Sequence, residues 1–494
     1  MENQFNYILA LPEIILCIFA ILILLGDAFL RSVDSVTSYF LSLGTLAITL
    51  IITLVQWTQG VVGHTFYDTF IVDSFAHFLK VCSIIAVAVT LVYGRRYLVE
   101  RHMVKGGEFY SLALFALLGQ FVMISASSML TIYLGLELMS LSLYALVAVR
   151  RDSLSSIESA MKYYVLGSLA SGFMLYGISL IYGAVHGLGL SQIASVLASG
   201  EYHPMAFYLG LVFVVAGIAF KLGAVPFHMW LPDVYSGAPT IVTLTIASAP
   251  KLAAFAMAMR LLIEGMHSLQ EVWQPMLVIM AVLSLVVGNL TAIMQTNFKR
   301  MLAYSTISHI GFVLLGLLSG VADEQLNSGA YGSALFYIVI YVLTTLATFG
   351  AILFMSNRGF EADEISDLAG LNKRCPLLAF AILLMMFSLA GIPPLVGFYS
   401  KLVVLQAALS AGYVTLTIIA VIFSLIGAFY YLRVVKTMYF DEPPAAAVPL
   451  APVSTAGYGI FAVNSALIVL LGIMPGWLVS LCVQVIDQSL KFAN

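Results

Sequence analysis

The chain has 494 residues, of which 62% are hydrophobic and 9% charged, with a formal net charge of −3 and a mean hydropathy of +1.04. A soluble domain is about 45–50% apolar and about 25% charged, so this chain has too little polar surface to coat a globule of its size in water. That excludes a soluble enzyme, a nucleic-acid binder and a disordered chain, and places the protein in a membrane.

Apolar runs of about 20 residues mark membrane-crossing helices. Fourteen follow one another in chain order: 7–30, 37–56, 72–94, 109–127, 129–149, 158–183, 205–236, 238–262, 274–295, 301–320, 330–355, 377–410, 413–438 and 457–485. The first is a retained span and not a signal peptide. It lacks a basic leader, its apolar run is too long, and Glu13 interrupts it. The loops are short and leave no room for an extramembrane domain.

Lysine and arginine test this map independently. Fourteen follow odd-numbered spans: Arg31, Arg95, Arg96, Arg101, Lys105, Arg150, Arg151, Lys299, Arg300, Arg358, Lys373, Arg374, Arg433 and Lys436. Only Arg260 and Lys491 lie on the other side. Basic residues collect on the cytoplasmic side, so both termini are expected in the periplasm of a bacterial inner membrane.

Two spans carry helix breakers. Span 7 (205–236) contains Pro226 and Pro232 near Lys221, and span 12 (377–410) contains Gly391, Pro393, Pro394 and Gly397 near Lys401. Proline removes an amide donor and clashes with the preceding turn, and broken backbone survives in a bilayer only where protein or a water-filled cavity surrounds it. The surroundings of the two breaks repeat. Ala216-Gly217-Ile218 with Gly223 matches Ala390-Gly391-Ile392 with Gly397, and Tyr163-Tyr164 with Tyr176-Gly177 matches Phe336-Tyr337 with Phe349-Gly350. Near-equal offsets in separate helices indicate a duplication. Five spans per copy is an odd number, so the second copy is inverted, as in transporters.

The expected fold is an all-α polytopic membrane protein of about 14 transmembrane helices with two inverted five-helix repeats, each containing a broken helix. Residues 1–108 form an N-terminal three-helix segment, 109–272 the first repeat (spans 4–8), 273–441 the second (spans 9–13), and 442–494 a C-terminal helix.

A charge at a helix centre costs about 2.5–3.5 kcal/mol on insertion scales, so each one needs a reason. Glu137 lies thirteen residues before Arg150, about 20 Å from the cytoplasmic face. Lys221, Lys251 and Lys401 are likewise well inside spans. A buried lysine can exist neutral and accept a proton, whereas arginine stays charged. These four are the candidate proton relay, with a structural salt bridge as the competing reading. His309 is titratable, and Lys162 lies beside Glu158 at the cytoplasmic start of span 6; both are possible relay members. Lys80 is taken as an interface anchor and Glu13 as structural.

No Walker A motif, Gly-rich dinucleotide loop or haem ligand pair is present, and the four cysteines, Cys17, Cys82, Cys375 and Cys482, form no C-x-x-C pair. The chain is therefore expected to hold no metal or cofactor of its own and to depend on an energy source elsewhere.

The stretches FKLGAVPFHMWLPDVYSGAPT (220–240), NFKRMLAYSTISHIGF (297–312), LAGIPPLVGFYSK (389–401) and YYLRVVKTMYF (430–440) resemble the antiporter-like membrane subunits of respiratory complex I. The resemblance covers essentially the whole chain, and no long lateral amphipathic helix follows span 14, unlike the larger of these subunits. It implies that Glu137 is the span-5 glutamate that modulates the span-7 lysine, Lys221. Lys251 is then the connecting lysine of span 8 and Lys401 the span-12 lysine, where some relatives carry glutamate. His309 and Lys162 extend the polar midplane axis. The resemblance further implies electron transfer from NADH to quinone through FMN and iron–sulfur clusters held by partner subunits. The partners would be other antiporter-like subunits and small helical subunits of the membrane arm. A multi-subunit sodium/proton antiporter and a passive packing subunit are the alternatives.

Overall fold

The computed structural model describes residues 5–30, 35–101, 103, 107–322, 325–357, 359–443 and 455–493. Arg31, Lys105 and Arg358 of the basic count lie outside the described residues.

The N-terminal segment is formed by α1 (Leu11–Leu30), α2 (Val36–Thr58) and α3 (Ser74–Glu100), with α4 (Glu108–Ile124) packed against all three. Next come α5 (Met129–Val147), α6 (Leu154–Val185), the ten-residue α7 (Leu190–Ser199) and α8 (Pro204–Leu222). A break at 223–229 leads to α9 (Trp230–Gly237), and the next span is split into α10 (Thr240–Ala247) and α11 (Ala249–Ala258), whose last turns widen through Gly265. The second half has α12 (Gln270–Ile293), α13 (Phe298–Leu318), α14 (Ser328–Met355) and the one-turn α15 (Leu371–Arg374). Then follow α16 (Pro376–Ala390), α17 (Val396–Ser410), α18 (Val414–Phe440), α19 (Thr455–Ile473) and α20 (Gly476–Ala493).

Twelve of these stretches are long and apolar enough to cross a membrane; α4, at 17 residues, and the broken pair α16–α17 complete the fourteen. The only strands among the described residues are two short hairpins, β1 (Gly63–Thr65) with β2 (Phe70–Val72) and β3 (Val321–Ala322) with β4 (Gln325–Leu326).

Helix starts follow the local chemistry of side-chain caps. Asp73 accepts from the Ala76 amide at 2.7 Å to open α3, and Asn297 and Asn327 do the same for α13 and α14. Close helix packing needs missing side chains: a Cβ on Gly119 would lie 2.4 Å from the Met139 amide nitrogen, so α4 and α5 meet backbone to backbone.

The two ends of the molecule are held by different contacts. At one end Arg101 binds the Asn357 and Phe360 carbonyls and pairs with Glu361 at 2.8 Å, while Arg433 caps the end of α12 through the Ile293 carbonyl. Burial alone would raise the Glu361 carboxyl, but Lys299, Arg101 and the hydroxyls of Thr240 and Tyr97 hold it below the usual carboxylate range. At the other end both termini come together. The Asn6 amide donates to Thr65, Ser489 donates to Asp73 at 2.6 Å, and Phe492 stacks on His64.

Four expectations change. The run 457–485 is two helices, because Pro475 interrupts it, and α20 carries Leu478, Cys482, Val485, Ile486 and Ser489 on its buried face. Span 8 contains a break at Ser248, one residue before α11 begins with Pro250 at its start. Lys80 is no interface anchor: it is 1% exposed and pairs with Glu13 at 2.5 Å, which supports the structural reading of Glu13. The fourth concerns the register of the repeat, described below.

Two broken helices, each capped by a lysine

A helix leaves its last four carbonyls without intrahelical partners, and in a membrane no solvent is available to them. At the end of α8, Gly223 takes the left-handed conformation (φ 83°), and its amide bonds to the Ala219 and Phe220 carbonyls. The indole of Trp230 also reaches the Phe220 carbonyl, at 3.0 Å. The last two carbonyls are taken by Lys251, whose Nζ lies 2.7 Å from Leu222 O and 3.4 Å from Lys221 O. Every carbonyl of the broken end is satisfied.

The second break repeats this solution. Gly391 (φ 87°) ends α16 and its amide bonds to the Phe387 and Ser388 carbonyls. Lys401 Nζ takes Leu389 O at 2.9 Å and Ala390 O at 3.0 Å. Its third donor reaches Ser424 Oγ on α18 at 2.9 Å. In both cases an ammonium sits at the negative end of a helix dipole, where a cation is favoured. The lysines come from different places, Lys251 from the following span and Lys401 from the second half of the broken span itself. The equivalent glycines are therefore Gly223 and Gly391. Gly217, matched to Gly391 from the sequence, is inside α8 and packs on Met174. The motif match was out of register because the cap depends on backbone conformation and not on the neighbouring Ala and Ile.

Lys221 is two residues before the first cap and differs from the other two lysines. It is 7% exposed and donates at 2.5 Å to Ser140 Oγ on α5, one turn beyond Glu137. Glu137 Oε1 is buried without a hydrogen-bond partner among the described residues. Serine 140 thus mediates between helix α5 and Lys221 in place of a direct ion pair. Lys251 adjoins Lys221 through the shared end of α8.

His309, on α13, is buried between two tyrosines: Nδ1 is 2.6 Å from Tyr337 Oη and Nε2 is 3.1 Å from Tyr431 Oη. A small cavity joins it to the second break, lined by Tyr341, Ser388, Leu389, Gly397 and Ser400, with about 10 Å³ open to a water centre. That is about the space one water needs. Lys162 stands apart. Its side chain is 44% exposed and pairs with Glu158 at 2.7 Å and Asp233 at 2.9 Å, and Asp233 also pairs with Arg300. The structure thus brings together Glu137, Lys221 and Lys251 at one break and Lys401 and His309 at the other, and leaves Lys162 in a surface ion cluster. The hydroxyl partners Ser140, Ser424, Tyr337 and Tyr431 had no signal in the sequence, because serine and tyrosine are common in membrane helices.

No group of three or more His, Cys, Asp or Glu side chains able to hold a metal occurs among the described residues.

Residues 126–427 match the family model described as NADH:quinone oxidoreductase/Mrp antiporter, transmembrane. Over 494 residues, 99% of each chain, the sequence is 56% identical to NADH-quinone oxidoreductase subunit N of Herminiimonas arsenicoxydans. The chain belongs to the subunit N family of NADH-quinone oxidoreductases. A chain of respiratory complex I from Thermus thermophilus is similar in structure, with a TM-score of 0.79 and 30% identity over 95% of this chain and 98% of that one. A chain of the Mrp complex from Dietzia sp. DQ12-45-1b shares the fold, with a TM-score of 0.81 at 20% identity over 96% and 97% of the two chains. The chain is accordingly an integral membrane protein with the antiporter-like fold.

Proposed function

We propose that this chain is a proton-translocating subunit in the membrane arm of NADH:quinone oxidoreductase. It would carry protons through Glu137, Lys221, Lys251 and Lys401, coupled to quinone reduction elsewhere in the complex. The observation that carries this reading is that every buried lysine of the row has partners that tolerate both protonation states. An ammonium has three donors. A neutral amine keeps two, enough for the two carbonyls that Lys251 caps. Lys401 loses its third donor on deprotonation, but the Ser424 hydroxyl can turn and donate to the freed lone pair. Ser140 can do the same for Lys221 by turning its hydroxyl away from the Leu136 carbonyl. Protons can therefore come and go without opening either break.

Glu137 as an anion favours protonated Lys221, whereas burial favours the neutral amine, so a shift in charge near Glu137 would release the proton towards Lys251. His309 and its two tyrosines would extend the path at the second break. The two repeats would be inverted copies, residues 109–272 and 273–441. FMN and iron–sulfur clusters would be held by partner subunits, and other antiporter-like and small helical subunits would flank this one. Both termini would face the periplasm of the bacterial inner membrane, with the basic end cytoplasmic.

A passive packing role is the competing reading, favoured by the capping bonds of Lys251 and Lys401, which by themselves account for two of the three lysines. Lys221 separates the two, since it caps nothing. Glu137→Ala and Lys221→Ala are expected to leave the complex assembled while NADH–quinone turnover and proton uptake in vesicles fall together. Glu137→Asp should keep more activity than Glu137→Ala, and Lys221→Arg should fail to rescue. Full coupled activity in an assembled Lys221→Ala complex would leave only the packing role.

A further inference from the structure

At the end of the molecule where the termini meet, Arg260 is fully buried between two carboxylates. It makes paired bonds to Asp73, Nη1 to Oδ2 at 2.8 Å and Nη2 to Oδ1 at 2.9 Å, and a third to Glu264 Oε1 at 2.5 Å. One guanidinium cannot neutralise two carboxylates, and arginine does not deprotonate, so with both acids ionised the cluster carries one negative charge in excess. The two acids are not equivalent. Asp73 is 1% exposed, and both its oxygens are engaged, Oδ2 by Ser489 as well as Arg260 and Oδ1 by the Ala76 amide as well as Arg260. Glu264 has one oxygen on Arg260, and its side chain, 9% exposed, lines a cavity of about 300 Å³.

That cavity has an exposed rim at His64 and Ser191 and also reaches His267 and Ser127. The helix carrying Arg260 and Glu264 is locally widened over Met259–Gly265, a distortion that recurs at functional sites. The same membrane span carries Lys251 further in. The charged and titratable groups facing Glu264 are Arg260 on its own helix, Asp73 from α3, His64 from β1 and His267 from the following turn; α7 and α20 offer Ser191 and Ser489.

We propose that Glu264 is a proton-exchange site, reached by water through this cavity, that takes up and releases a proton between the interior of the protein and the side of the membrane on which the termini lie. The ligand is the proton itself, held on the Glu264 oxygen that does not bind Arg260. Protonation there removes the excess charge without breaking the Arg260–Asp73 pair. The inference rests on the proton-translocating reading above, and two readouts keep the failures of the two apart.

The first readout is modification of the whole assembled complex by a water-soluble carbodiimide, which reacts with protonated carboxyls, mapped by mass spectrometry. Glu264 is expected to react at about pH 6 and progressively less as pH rises, while Asp73 stays unmodified. If Glu264 remains unmodified while Glu201 and Glu271, exposed at the same end, react, the proposal is overturned. The second readout is Glu264→Gln, which can keep the bond to Arg260 but cannot exchange a proton. Protons taken up per NADH oxidised should fall in the assembled variant, and an unchanged yield overturns the proposal. The carbodiimide result does not depend on the relay. Failure of the Lys221→Ala test with pH-dependent labelling of Glu264 would therefore remove the relay and not the exchange site.

Discussion

Lys401→Ala should damage the protein in a way that Lys221→Ala does not. Removing the Lys401 ammonium leaves the Leu389 and Ala390 carbonyls without the partners they have at 2.9 and 3.0 Å. Each buried carbonyl so orphaned costs about 1–3 kcal/mol, roughly 2–6 kcal/mol for the pair. Lys221→Ala removes a single bond to Ser140, whose hydroxyl retains the Leu136 carbonyl as a partner, so the hydrogen-bonding cost is about 1–3 kcal/mol with no orphaned carbonyl. Both changes delete the same three methylenes beyond Cβ, so the packing losses are comparable. The expected order of thermal stability, read as the midpoint of heat-induced unfolding of the purified complex, is wild type, then Lys221→Ala, then Lys401→Ala. Lys401→Arg should recover much of the midpoint, because a guanidinium can donate to both carbonyls, yet remain inactive because it holds its proton. Equal midpoints for the two alanine variants would refute the capping account of the second break.

Three further outcomes follow from other parts of the molecule. Lys80→Met should strongly destabilise the N-terminal helices by leaving Glu13 buried and unpaired, about 3–5 kcal/mol. The double variant Glu13→Gln/Lys80→Met should recover most of that loss in the same thermal measurement. Glu361 has its carboxyl held below the ordinary value of 4.5, so its contribution is fully present above that pH and is lost as pH falls through the lower folded value. The stability difference between wild type and Glu361→Gln should therefore be largest near neutral pH and shrink once pH drops below about 4.5; a difference that grew on acidification would contradict the Arg101 and Lys299 pairing. Tags at either terminus should be reachable only from the periplasm and a probe at the 358–374 loop only from the cytoplasm, with a cytoplasmic C-terminus incompatible with an even number of crossings.

The membrane setting and the approximate number of crossings were legible in the sequence because each depends on the chemistry of one short stretch at a time. A run of about 20 apolar residues crosses a bilayer whatever its neighbours are. The two breaks were legible for the same reason, since Pro226 and Pro393 disrupt a helix locally. The missed break at Ser248 had its signal in Pro250, masked by an apolar run that would otherwise have sufficed for one crossing. The division after Pro475 was hidden in the same way.

The amphipathic pattern of α2 is a clearer case of information present but unread. Its buried residues are Ser38, Ser42, Thr45, Leu46, Thr49, Thr53 and Gln56, all polar but Leu46, so its polar face turns inward and its apolar face outward. The membrane inverts the usual rule, since lipid accepts apolar side chains and the protein interior has to accommodate the polar ones.

From its sequence alone, this chain is a polytopic helical membrane protein whose buried lysines and glutamate demand partners. Which partners they find was decided only in three dimensions. Lys80 and Lys251 look alike as single lysines in apolar runs, yet one neutralises Glu13 and the other caps the end of a helix 29 residues away in sequence. The physical reason is that a buried ammonium is specified by its need for acceptors, and helix-end carbonyls, carboxylates and hydroxyls all meet that need. Periodicity and composition report the need, and only the packing of one helix end against another fixes which acceptor meets it.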